Sequence, residues 1–162
     1  MRSTNAIATP ARTTLRIRTV SGDEIEAWVY RPEGEGPHPA IVLAHRFAAV
    51  KAGGLAPLAE QFCREGFPAI AFDYRHRGGS TGEPRDEVSV PRQREDYRTV
   101  LDWAFAQPDV DPNYIPAGVA PGEFGGHYGT YEGGADYDNV LRVEIEFLHR
   151  HVPASAGSGA SV

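Results

Sequence analysis

A handful of residues in this sequence are of types and spacings that could do chemistry. Gly78-Gly79-Ser80-Thr81-Gly82 fits the pattern G-x-S-x-G, in which a serine on a sharp strand-to-helix turn becomes an attacking hydroxyl. That meaning requires a strand just before the turn and a helix just after it. Ser80 instead stands several residues past the nearest apolar run, and Glu83-Pro84-Arg85 follows it. A glycine-rich turn is therefore the expected role of Ser80, with the nucleophile as the alternative. His127, in Gly125-Gly126-His127-Tyr128, is the histidine best suited to accept a proton, since an imidazole titrates near neutral pH. Asp109 and Asp111 fall between the two and complete the chain order Ser, Asp, His. The run Pro108-Asp109-Val110-Asp111-Pro112 reads more simply as a turn.

Other chemistries find less support. His149 and His151 are two apart in a helical pattern and point to different faces, with no cysteine or carboxylate cluster beside them, so no metal site is expected. The single cysteine, Cys63, sits on the inner side of a helical pattern and reads as packing. It excludes an internal disulfide framework. Tyr74-Arg75-His76-Arg77 is a short basic knot at the sheet edge, by default a surface loop, with attraction of an anionic substrate group as the alternative. The 162 residues carry 16 Lys and Arg against 22 Asp and Glu, a net charge of −6, which gives no basic footprint for nucleic acid. No apolar run approaches the roughly 20 residues of a spanning helix, and the N-terminus lacks a signal-like apolar stretch. A cytoplasmic protein without cofactors is expected.

The elements that must position these residues follow from periodicity. Residues 1–12 form a loose arm. Leu15, Ile17 and Thr19 alternate with Arg16 and Arg18; after Ser21-Gly22-Asp23, Ile25, Ala27 and Val29 alternate with Glu24, Glu26 and Trp28. This predicts an antiparallel hairpin with arginines facing glutamates across it. Ala40–Ala44 and Phe67–Phe72 are apolar throughout, as parallel strands covered on both faces are. Leu55, Leu58, Ala59 and Phe62 predict one helix, closed at Gly66, and Tyr97, Val100, Leu101 and Ala104 a second, stopped by Pro108. Asp109–Gly134 holds seven glycines and three prolines, and a last helix is expected from about Asp136. Residues 13–152 thus make one α/β domain, and 153–162 a disordered tail.

Taken in order, the segments VSGDEIEAWVYRPEG, HPAIVLAHRF and GFPAIAFDYRHRGGSTGEP resemble the opening half of the α/β-hydrolase superfamily, nearest its dienelactone-hydrolase-like and peptidase-like esterases. REDYRTVLDWAFAQPDVDPNYI is similar to the helix leading into that family's nucleophile strand, and GGHYGTYEGGADYDNVLRVEIEFLHRHV to its C-terminal end. The resemblance implies a three-layer fold: an N-terminal hairpin, a short parallel sheet and flanking helices, truncated relative to the full fold. It places the general base at His127 and an oxyanion donor at the Phe47 N–H, although Arg46 replaces the usual glycine and would crowd an acyl group. The family's elbow has no counterpart after Asn113-Tyr114-Ile115, which runs into Pro116-Ala117-Gly118. The resemblance therefore implies an ester or peptide hydrolase by descent, impaired by loss of its nucleophile. The alternatives are a reduced serine hydrolase using Ser80 and His127 on a small ester or amide, and a non-enzymatic binding or oligomerising module. Loss of the neighbouring strand would bare one edge of Ala40–Ala44. A homodimer through that edge, a patch near Asn113–Val119, or poor solubility would follow.

Overall fold

The computed structural model describes residues 9–45 and 49–112, together with positions 146 and 150, both helical. A four-stranded mixed sheet runs in the order β1-β2-β4-β3, built from β1 (Arg12–Arg18), β2 (Glu24–Tyr30), β3 (Ile41–Ala44) and β4 (Ala69–Phe72). β1 and β2 pair antiparallel as the alternation predicts, with Arg16 opposite Glu26 and Arg18 opposite Glu24. β3 and β4 are parallel, Val42 lying opposite Ile70. The hairpin is not an appendage: β2 also pairs antiparallel with β4, Val29 opposite Ile70. Two β-edges that would otherwise be bare are closed in one step.

Helices cover both faces. α1 (Leu55–Arg64) packs on the face lined by Tyr30, Ile41, Leu43, Ala69 and Ala71. α2 (Val90–Phe105) packs on the opposite face, where Val100 and Ala104 meet Val29, Val42, Ile70 and Phe72. Because successive residues point to opposite faces of a strand, β3 and β4 need apolar side chains at every position. Ile41, Val42 and Leu43 are accordingly fully buried. Gly66 closes the connection after α1 at φ +92°, a conformation in which glycine carries no Cβ penalty. α2 begins at Val90, earlier than its apolar spacing indicates, with Pro91 in its first turn, where a missing N–H costs nothing.

The outer edge of β3 pairs with no named strand among the described residues, but the chain begins to cover it. His38, just ahead of β3, forms an isolated parallel bridge with Val110. Its N–H donates to the Asp109 carbonyl at 2.9 Å, and its carbonyl accepts from the Asp111 N–H at 2.8 Å. Tyr97 of α2 donates its hydroxyl to the Val42 carbonyl at 3.1 Å.

Candidate active-site edge

The carboxyl ends of β3 and β4 are the place where open α/β sheets present their chemistry. A buried ionic cluster occupies it. Lys51 opens a short 3-10 turn (Lys51–Gly53) and is only 2% exposed. Its Nζ donates to Asp73 Oδ2 at 2.5 Å and to Glu26 Oε1 at 2.7 Å, and it stands 4.7 Å from the centre of the Trp28 ring. Asp73, 1% exposed, also accepts from the Lys51 backbone N–H at 2.7 Å and from the Gly79 N–H at 3.0 Å. His45 Nε2 lies 3.5 Å from Asp73 Oδ1, and its ring meets Tyr74 edge-on at 5.1 Å. Paired charges and donated N–H groups are what make a buried carboxylate tolerable.

Ser80 belongs to this cluster. It is 2% exposed, lies in a turn rather than between a strand and a helix, and has both sides of its hydroxyl engaged. Oγ donates to the Asp73 carbonyl at 2.7 Å and accepts from the Glu26 N–H at 2.8 Å. Thr81 extends the clamp, accepting from the Glu24 N–H at 2.8 Å through Oγ1 and donating its own N–H to the Glu24 carbonyl at 2.9 Å. The glycines around Ser80 have packing reasons. A Cβ on Gly78 would collide with Asp73 Oδ2, and one on Gly79 with Glu26 Oε1. Gly82, at φ +120°, leaves room for the His76 ring. The pentapeptide is thus shaped by close approach to two carboxylates.

The basic knot is not a surface loop, contrary to the expectation from sequence: Arg75, His76 and Arg77 are all buried. Arg75 Nε donates to Asp96 Oδ1 at 2.6 Å, its backbone N–H to Asp96 Oδ2 at 2.9 Å and its NH2 to Glu95 at 2.6 Å. Burial pushes the Asp96 carboxyl up, against the opposing pull of Arg75. His76 Nδ1 lies 2.8 Å from the Pro84 carbonyl. Arg75 ties the loop after β4 to α2, a bond the charges alone did not reveal because its partners lie about 20 positions along the chain.

The other predicted residues fall elsewhere. Asp109 is paired with Arg31 at 2.8 Å, and Asp111 binds His38 through its N–H. Both sit at the amino end of β3, whereas Ser80 lies at the carboxyl end of the parallel β4, so the structure does not bring Ser80 and either aspartate together. Cys63 is buried among the α1 core residues, and burial pushes its thiol up. His127, Phe47, Arg46, His149 and His151 lie outside the described residues. Among the described residues, no group of three or more His, Cys, Asp or Glu side chains is placed to hold a metal ion, and no helix is long and apolar enough to cross a membrane. Sequence reasoning missed Lys51. A single lysine after an apolar strand carries no local signal, and Glu26 already had an expected partner in Arg16, which it keeps at 3.3 Å.

A parallel β3–β4 pair between two helical layers, with an antiparallel hairpin completing the sheet, is the opening of an α/β-hydrolase fold. The family model for X-Pro dipeptidyl-peptidase (S15 family) matches residues 21–115, more than half of the chain, and the chain belongs to that family. It is 36% identical over 89 residues to the quorum-quenching protein AidA of Acinetobacter baumannii, which covers 55% of this chain and 29% of that protein. It is 39% identical over 97 residues to the thiohydrolase aneE of Aspergillus aculeatus, covering 60% of this chain and 30% of that one. The crystal structure of the α/β hydrolase GrgF from Penicillium superposes with a TM-score of 0.61 at 26% identity, over 65% of this chain and 36% of GrgF. The chain thus spans about a third of the length of these relatives.

Proposed function

We propose that this chain is an acyl-hydrolase scaffold by descent that does not itself carry out covalent hydrolysis. The observation behind this reading is the Ser80 hydroxyl, whose proton is committed to the Asp73 carbonyl and whose oxygen already accepts the Glu26 N–H. A nucleophilic serine needs its proton directed at a base and its oxygen open to the substrate. Between Ser89 and Ser155 the sequence contains no serine or cysteine, so no hydroxyl or thiol of those types stands where the family's elbow would fall. The ancestral substrate class is an activated acyl group, ester or thioester, a reading supported by the thiohydrolase among the similar proteins.

The test is labelling of the full chain with a fluorophosphonate probe, alongside turnover of p-nitrophenyl acetate. Neither labelling nor turnover above buffer is expected. Labelling that vanishes in Ser80→Ala would overturn the proposal and establish a reduced serine hydrolase.

A further inference from the structure

Asp73 gathers three separate stretches of chain on one carboxylate. Its Oδ1 faces His45 Nε2 at 3.5 Å and accepts the Lys51 N–H at 2.7 Å; its Oδ2 accepts Lys51 Nζ at 2.5 Å and the Gly79 N–H at 3.0 Å. His45 and Lys51 bracket the connection that leaves β3, at the sheet edge where ligands of open α/β sheets bind. Glu26 differs from Asp73 in three ways. Its side chain is 20% exposed, it is shared with Arg16, and it touches Lys51 only through Nζ. The Trp28 ring stands beside Lys51 and the Tyr74 ring beside His45.

We propose that Asp73 is the positioning residue for His45 at the end of β3 and for the Lys51–Gly53 turn: it holds both against the carboxyl end of the sheet, while Glu26 only completes the charge around Lys51. A buried carboxylate persists only with its counter-charge and its donors in place, so the arrangement is a rigid node. The inference is independent of the proposed loss of hydrolysis, because it concerns the placement of the rim and not the presence of a nucleophile.

The experiment is residue-resolved amide exchange on the full chain, comparing Asp73→Asn with Glu26→Gln. In Asp73→Asn the Lys51 and Gly53 amides are expected to exchange at least tenfold faster, with Ile25 and Val100 within twofold of the parent protein. In Glu26→Gln all four are expected to stay within twofold. Where Asp73→Asn does not fold, Asp73→Glu, which moves both carboxylate oxygens away from their donors, takes its place with the same expectation. Lys51→Met adds a second readout: His45 then faces Asp73 without the competing charge of the lysine, so its proton affinity should rise at least tenfold. Equal acceleration in the Asp73 and Glu26 variants, acceleration spread evenly over Ile25 and Val100, or an unchanged His45 titration in Lys51→Met would overturn the proposal.

Discussion

Replacing Ser80 by alanine removes one acceptor from the Glu26 N–H and one donor from the Asp73 carbonyl, both at a buried position. Leaving buried backbone groups unpaired costs about 1–3 kcal/mol. Ser80→Ala should therefore lower the unfolding free energy measured in urea by that amount, a loss that a solvent-facing catalytic serine would not cause. Cys63 leads to a second expectation at this scale. The thiol is buried in the α1 core and its pKa is raised, chiefly by desolvation. Only the thiolate reacts readily, so Ellman's reagent should leave Cys63 unmodified in the native protein and titrate it fully in denaturant. That Cys63 packs inward was legible from the spacing of Leu55, Leu58, Ala59 and Phe62. The character of Ser80 was only half legible: the missing helix after Thr81 argued against an elbow, but nothing local announced the hydroxyl's two backbone partners.

Between elements, a buried ion pair joins the loop after β4 to α2. Arg75 and Asp96 are both buried, joined by two hydrogen bonds, and Glu95 adds a third contact. Removing one partner of such a pair leaves an uncompensated buried charge and costs about 3–5 kcal/mol. Asp96→Ala should accordingly destabilise the chain by that order in urea unfolding, whereas Arg92→Ala, whose partner Glu87 is exposed like itself, should change stability by at most about 1 kcal/mol. The hairpin, the parallel strands and α1 were legible because their periodicities of two and of about 3.6 are written in consecutive residues. The antiparallel seam between β2 and β4 was not. Alternation fixes which face of a strand is buried, but it does not specify which neighbour the strand will pair with.

The whole molecule should weaken in alkali in a particular interval. Tyr74 is pushed up to about 12, first by burial and then by the nearby Tyr97 and Asp96. An unfolded tyrosine loses its proton near pH 10, so from about pH 10 to about 12 the folded chain binds more protons than the unfolded one. Stability is then expected to fall as the pH rises through that window, and a series of urea melts from pH 8 to 12 should show a shallower fall in Tyr74→Phe. Alternating arginines and glutamates, uninterrupted apolar runs and a glycine after α1 were enough to determine a layered α/β unit, because backbone periodicity and burial are local properties. Which charges lie inside, and whether Ser80 faces a substrate or a strand, were decided only by the folded chain. Lys51 meets Asp73 across 22 positions and Ser80 meets Glu26 across 54, and partners so distant are chosen by the topology of the sheet that brings them together.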